Sequence, residues 1–321
     1  MLLVTGGAGF VGAHLSRALA ARGERLVISD RLRHAGKQEN IADILFDDIV
    51  PPDQVLSWLD GRKGLKAVIH FGAKDGSQEP DKDVLLRANF GMTKSMWTWC
   101  AENRVPLIYA SSAATYGLGE AGFDDEATPE ALAKLTPRSG YAWTKHLFDR
   151  WAVNEVFSGR PRPPRWMGLK FFNAYGPGDA HKEKAPTFIT NLVRQLTESD
   201  SVTLYASERA DIKDGDQRRD FIYIGDIVDV VLWLLDSCKT SGLLNVGSGH
   251  APSLNEVAEA VFDLFGKPVT IEYIRAPERV RQHMQYYTCA NLDRLRAAGY
   301  QRPFLTVREG IDKYVKVPTK G

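Results

Sequence analysis

TGGAGFVG, residues Thr5–Gly12, decides how this 321-residue chain is read. Gly6, Gly9 and Gly12 recur every third position, after the apolar run Leu2–Thr5 and before a helical pattern from about Val11 to Ala21 that stops near Gly23. Between a strand and a helix, the first glycine permits the tight turn, the second lets a pyrophosphate approach the backbone, and the third packs helix on strand. The helix dipole and its amides then face the phosphates. Glycines so spaced also serve ordinary turns, so context decides. Here a second apolar run, RLVISD, ends in Asp30, an acid about twenty residues on, where a ribose hydroxyl is read in dinucleotide sites.

Further apolar runs, KAVIHFGA, PLIYASS and RWMGLKFF, alternate with helical stretches such as Val84–Glu102 and Tyr141–Phe157. Strand and helix in alternation predict an α/β chain with a Rossmann-type doubly wound parallel sheet and right-handed crossovers. Past the prolines Pro161, Pro163 and Pro164 the pattern loosens. NAYGPGDAHKEKAP and SERADIKDGDQRRD are long polar loops around a helix near Phe188–Leu196, and FIYIGDIVDVVLWLLD returns to strand then helix. Long irregular loops in a compact domain mark a working surface. The expected organisation is a dinucleotide-binding domain from 1–170 plus about 221–247, and a smaller α/β substrate-binding lobe from about 171–220 plus 248–321. No repeat or low-complexity segment is present.

Composition narrows the partners. The chain is 44% hydrophobic and 25% charged with a formal net charge of +1, so neither nucleic acid nor an anionic membrane is favoured, while a small anionic ligand is. MLLVTGG enters a strand at once, without a leader pattern, and no span approaches the ~20 apolar residues of a membrane helix, which together predict a cytoplasmic protein. Cys100, Cys238 and Cys289 form no Cys-x-x-Cys pair, so we expect reduced core thiols, no disulfide and no metal. Trp97, Trp99, Trp143, Trp151 and Trp233 fall at helical spacing and are expected in the core or at subunit contacts.

Two features carry chemistry. Asp30 suits the adenosine ribose of NAD, whereas Arg31, Arg33 and Lys37 beside it suit the 2′-phosphate of NADP; NADP is the expected cofactor and NAD the alternative. Tyr141 and Lys145 lie four apart in GYAWTKHLFD, on one helix face. A phenol is a poor base at its ordinary pKa, but a lysine cation and a nicotinamide charge beside it favour the phenolate. Such a phenol takes a proton from an alcohol as hydride leaves the same carbon. Ser112 ends the strand in YASSAATYG, where its hydroxyl can hold the substrate oxygen.

In this order TGGAGFVG, HFGA at His70, ANFGMTK at Asn89, YASSAATYG, YAWTK and FFNAYGP resemble the extended short-chain dehydrogenase/reductase superfamily, which acts on nucleotide sugars. KHLFD, GLKFFNAYGP, His181-Lys182, DGDQRRDFIYIGD, NVGSG and LRAAGYQRPFLTVREG are similar to its ADP-glycero-manno-heptose 6-epimerase family, which serves lipopolysaccharide inner-core synthesis. The resemblance covers nearly the whole chain. It implies hydride removal from C6″ of a heptose and its return to the opposite face, with an acid/base on each side. By carry-over the catalytic residues are Ser112, Tyr141, Lys145 and Lys182. Cofactor contacts fall at Gly6, Gly9, Phe10, Val11, Gly12, Asp30, Arg31, Lys37, Ala73, Asn89, Tyr141 and Lys145, and substrate contacts at Ser112, Asn173, His181 and Arg219. It also implies a small-molecule nucleotide-sugar substrate and a homo-oligomer.

The chain departs from the family at Lys74-Asp75, where small hydroxyl residues are usual, and at Glu183, where glycine is usual. Another sugar or nucleotide therefore stays open, as do a 4-epimerase or dehydratase and an inactive NAD(P)-binding sensor. A dehydratase needs an acidic pair where this chain reads AATYG. For Arg219 the alternative is a surface ion pair with Asp216 or Asp220.

Overall fold

The computed structural model describes residues 1–33, 35–75, 81–179, 186–282 and 284–315. The central sheet takes β1 (Leu2–Thr5), β2 (Leu26–Ser29), β3 (Asp48–Val50), β4 (Ala67–His70), β5 (Leu107–Ser112), β6 (Trp166–Phe171) and, late in the chain, β11 (Gly242–Val246). All pairings are parallel, in the order β11-β6-β5-β4-β1-β2-β3. Both faces are covered by helices, which is why β1, β2 and β4 are buried at every position and read as unbroken apolar runs rather than alternating ones. The strand order reverses at β1, and the crevice outside the carboxyl ends of β1 and β4 is where such sheets bind ligands.

The cofactor helix Phe10–Ala21 buries Phe10, Leu15 and Leu19 against β1, β4 and the helix Ile224–Asp236. Each such side chain contributes about 1.5–3 kcal/mol by leaving water. The tyrosine helix, Gly140–Phe157, starts one residue before the expected boundary because Ser139 caps it, its Oγ accepting from the Ala142 amide at 3.1 Å. The expected helix Val84–Glu102 is divided: Lys82–Leu85 and Met92–Glu102 are α-helical, with a π-helical segment at Leu86–Gly91 between them. Such bulges turn a side chain out of the regular sequence of faces. Here it carries Asn89 into the interior.

Outside the sheet lie β7 (Asn173–Tyr175), β8 (Val202–Tyr205), β9 (Arg218–Arg219), β10 (Phe221–Tyr223), β12 (Ile271–Ile274) and β13 (Tyr287–Thr288), paired as β10-β7, β12-β8 and β13-β9. With the helices Phe188–Glu198 and Leu254–Phe265 they enclose a second core around Tyr175, Leu192, Leu204, Phe221, Val261 and Phe262. Among the described residues no helix is long and apolar enough to cross a membrane. Cys100 and Cys238 are buried free thiols, as expected. Cys289 is only half-buried, because it follows the short edge strand β13 instead of lying in a core element. Trp97 is fully buried, whereas Trp143 is 47% exposed.

Candidate active site

Gly6 has φ of +68°, and a Cβ there would lie 2.6 Å from the Gly72 nitrogen; a Cβ on Gly12 would lie 2.1 Å from the Gly6 oxygen. Both positions therefore need glycine, one for backbone conformation and both for space. Gly9 differs. A Cβ there would meet only the Gly6 oxygen, at 3.2 Å, and nothing else within 4 Å. The loop is thus closed toward the protein and open at Gly9, where a ligand's phosphates would approach. Gly9 is also the N-cap of the cofactor helix, supplies no side-chain cap, and is followed by no acid in the first turn. That end of the helix suits an anion. These features fit a dinucleotide pyrophosphate.

The residues expected around this loop divide into those that face it and those that brace it. Phe10 is buried, its ring edge-on to His14, so only its backbone can serve a ligand, and Val11 packs partly against the same core. Ala73 is exposed just beyond the Gly6–Gly72 contact. Asp30 is engaged: Oδ2 accepts from the Ala8 amide at 3.0 Å, and Oδ1 from the Arg31 amide at 2.7 Å and Lys37 Nζ at 2.6 Å. Arg31 reaches Asp53 at 3.7 Å with its side chain 46% exposed. Asn89 is buried. Its carboxamide accepts from the Lys74 amide (2.8 Å) and donates to the Lys74 carbonyl (3.0 Å) and Thr144 Oγ1 (3.1 Å), clamping the segment after β4 to the tyrosine helix.

At the end of β5, Ser112 accepts from the Ala114 amide at 3.1 Å, capping the 3₁₀ turn Ala113–Tyr116, and its hydroxyl stands beside the Tyr141 phenol. Burial pushes that phenol up to about 12, with the Asp75 charge adding to the rise and the nearby Ser112 hydroxyl opposing it. Behind it, Lys145 donates to the Ala110 carbonyl at 2.7 Å, its Nζ 5.9 Å from the Tyr141 ring centroid. Burial lowers Lys145 to about 8, opposed by the Asp149 carboxylate. Serine, phenol and amine therefore meet, as expected, at the carboxyl edge of the sheet. His70 is a neutral brace, pushed down to about 3 by burial and then by Lys145, bonded to Thr5 Oγ1 at 2.7 Å and Thr93 Oγ1 at 3.1 Å.

The expected substrate contacts are placed in part. Asn173 Nδ2 donates to the Asp220 carbonyl at 2.7 Å. Arg219 forms neither of the ion pairs that were the alternative to substrate contact: Nη2 donates to the Gln285 carbonyl at 2.8 Å and Nε is buried without a partner. The reason is that the Asp220 carboxylate is already taken up by the Ser248, Gly249 and Ala290 amides and the Ser248 hydroxyl. His181, Lys182 and Glu183 lie outside the described residues. Residues that the sequence did not single out tie the segment before them to the glycine loop. His14 Nε2 bonds the Pro177 carbonyl at 2.8 Å, and Asn40 Nδ2 donates to the carbonyls of Ala8 at 3.2 Å and Gly178 at 3.0 Å. Among the described residues no group of three or more His, Cys, Asp or Glu is placed to hold a metal ion.

This site geometry agrees with comparison against known proteins, in which the model of the NAD dependent epimerase/dehydratase family matches residues 2–247. The chain belongs to that family. It is 37% identical to the ADP-L-glycero-D-manno-heptose-6-epimerase of Fusobacterium nucleatum over 98% of this chain and 97% of that protein. To the enzyme of the same name from Alkalilimnicola ehrlichii it is 36% identical, over 98% and 96%. Thermus thermophilus UDP-glucose 4-epimerase in complex with NAD superposes with a TM-score of 0.74 and 26% identity, over 98% of this chain and 97% of that one. The family model stops at residue 247, while the two named relatives extend the match beyond it, over the helix Leu254–Phe265 of the second core.

Proposed function

We propose that this chain is a nucleotide-sugar epimerase that interconverts ADP-D-glycero-D-manno-heptose and ADP-L-glycero-D-manno-heptose at C6″, for lipopolysaccharide inner-core precursors. The choice of sugar rests on the names of its full-length relatives. The observation that carries the chemistry is the Tyr141 phenol beside the Ser112 hydroxyl with Lys145 behind it. A nicotinamide dinucleotide, when bound, accepts hydride from the carbinol carbon and returns it, so no net oxidation occurs.

The chain's own groups do the rest. The glycine loop holds the pyrophosphate, with Ala73 beside it and Asn89 fixing the wall. Ser112 holds the carbinol oxygen, Tyr141 takes and returns its proton, and the Lys145 ammonium stabilises the phenolate formed in between. Lys182 is proposed as the acid/base on the opposite face. Arg219, with its free donor, is proposed for the diphosphate, and Asn173 and His181 for the nucleotide half. The lobe of about 171–220 and 248–321 supplies these last groups and the domain of 1–170 and about 221–247 the cofactor.

NADP, held tightly and recycled, is the proposed cofactor, with NAD the alternative. Lys37 neutralises Asp30, which already accepts from two backbone amides, so this corner does not repel a 2′-phosphate, and Arg31 stands next to it. A soluble nucleotide sugar as substrate suits a cytoplasmic enzyme, and the family likeness suggests a homo-oligomer. Ala113 and Ala114 follow Ser112 where a dehydratase needs an acidic pair. The test is to incubate purified protein with ADP-D-glycero-D-manno-heptose and follow C6″ by NMR, with Tyr141→Phe alongside. Inversion is expected, slowed on the order of 10²-fold or more in the variant. Turnover of a hexose nucleotide without heptose inversion overturns the sugar, and an undiminished variant overturns the role of the phenol.

A further inference from the structure

A fully buried ion pair lies beneath the reacting cluster and has no part in the roles above. Lys170 in β6 and Asp149 in the tyrosine helix both have 0% exposed side chains, with Nζ 2.8 Å from Oδ2. Burying two charges is costly unless each finds further partners. They do. Lys170 Nζ also donates to Thr115 Oγ1 at 2.7 Å and lies 4.9 Å from the Tyr116 ring centroid. Asp149 accepts from Ser111 Oγ at 2.6 Å and from the Tyr109 hydroxyl at 3.0 Å. Room for that tyrosine exists because residue 168 is glycine: a Cβ there would sit 2.3 Å from the Tyr109 oxygen.

Each of these bonds ends next to a reacting group. Tyr141, Lys145 and Asp149 are spaced four apart, so they stack on one face of the helix. Tyr109 and Ser111 are alternate residues of β5, pointing to the same side and gripped by one carboxylate. Ser112 follows them, and its carbonyl accepts from Thr115 Oγ1 at 2.8 Å, the hydroxyl that Lys170 holds. A pair that served only to fill the core would be equally well replaced by apolar side chains. This one's hydrogen bonds beyond the pair itself, from Tyr109 and Ser111 and to Thr115, all go to the strand end and turn that present Ser112.

We propose that Asp149 and Lys170 are a positioning pair for the reacting cluster: Asp149 fixes β5 and keeps Lys145 an ammonium, and Lys170 fixes the turn that presents Ser112 to Tyr141. The inference rests on the reading of Ser112, Tyr141 and Lys145 given above. The titratable groups facing Lys145 are Tyr141 and Asp149 from its own helix and His70 from β4; from β5 it meets only the Ala110 carbonyl. Of these, the Asp149 carboxylate is what opposes the lowering of Lys145 by burial. Without it the ammonium deprotonates at lower pH.

The experiment compares the full-length double variant Asp149→Asn/Lys170→Gln, which removes both charges and leaves neutral partners, with wild type and Tyr141→Phe. Heptose inversion is measured across pH. A fall in kcat on the order of 10-fold is expected with KM within about twofold, as for lost positioning rather than lost binding. The alkaline limb of kcat is expected to move to lower pH, which a loss of folded protein would not produce. A folded double variant with wild-type kcat and an unmoved limb overturns the proposal, as does a fall in kcat that only tracks the folded fraction. If the double variant does not fold, Thr115→Val decides: lower kcat with unchanged KM supports the turn's role, and wild-type kcat overturns it. Full activity in Tyr141→Phe would instead remove the parent reading, and this inference with it.

Discussion

Replacing Gly12 and Gly9 separately by alanine should divide folding from cofactor binding, although the two glycines sit three residues apart in one loop. A methyl at Gly12 would lie 2.1 Å from the Gly6 oxygen, 2.8 Å from its carbonyl carbon and 2.9 Å from the Gly7 Cα, all of them backbone, so nothing flexible can yield. Helix and loop must separate by about 1 Å to restore contact distance. Such overpacking costs about 1–3 kcal/mol, and the gain of up to ~1 kcal/mol for alanine over glycine in a helix offsets only part of it. A net loss of about 2 kcal/mol in a chain of this length lowers Tm by about 3 °C. A methyl at Gly9, whose φ is −77°, meets only the Gly6 oxygen at 3.2 Å, so the apo protein should lose about 0.5 kcal/mol or less. It projects instead into the space reserved for the pyrophosphate, where an overpacking cost of about 1–3 kcal/mol weakens affinity on the order of 10-fold or more. Thermal unfolding without ligand, and NADPH fluorescence titration, read the two quantities independently. The expected pattern is Gly12→Ala impaired in both and Gly9→Ala impaired in affinity alone. A Gly9→Ala protein that binds NADPH and NADH as tightly as wild type would refute the placement of the phosphates.

Three further outcomes follow from the same geometry. Lys37→Ala should weaken NADP on the order of 10-fold or more, the worth of one charge-assisted hydrogen bond, while NAD changes little; equal weakening of both would assign Lys37 to Asp30 alone. Asp125 is buried and pushed up to about 6, burial outweighing the bonds from the Asn245 amide and Arg294. The folded carboxyl keeps its proton up to about that pH while the unfolded one releases it near 3.8, so the folded state binds more protons between these values. Stability should therefore fall, by on the order of 3 kcal/mol, as pH rises from about 4 to 6, and urea titrations of Asp125→Asn should lack that slope. A slope unchanged in the variant would place its origin elsewhere. Asn89→Ala strands the Lys74 amide and carbonyl and should cost about 2 kcal/mol and weaken the dinucleotide; retention of wild-type cofactor affinity would show that the clamp on the segment after β4 has no bearing on the site.

The sheet, the cofactor helix and the serine, tyrosine and lysine positions were legible because each is encoded by residues close together in the chain. Apolar runs bounded by glycine, a 3.6-residue period and a four-residue Tyr141–Lys145 spacing are local properties of the backbone. The π-helical Leu86–Gly91 segment was not legible, since nothing in LRANFG separates it from an ordinary helix. Only the interior demand for Asn89 at Lys74 and Thr144 selects it. Lys170 gave a partial signal, a lysine inside the apolar strand WMGLKFF, and Asp149 another, four residues past Lys145.

The sequence by itself determined the parallel sheet, the crevice and the chemistry that three residues can perform there, because strand burial and helix periodicity follow from which residues are neighbours along the chain. Tertiary structure alone decided which charges are spent. Asp30 is neutralised by Lys37, Arg219 is left with a buried unpaired donor because backbone amides occupy Asp220, and Asp149 of the tyrosine helix pairs with Lys170 of β6. The physical reason is that a charge's partners are set by distance and burial in the folded chain, and the partners concerned lie up to 70 residues away.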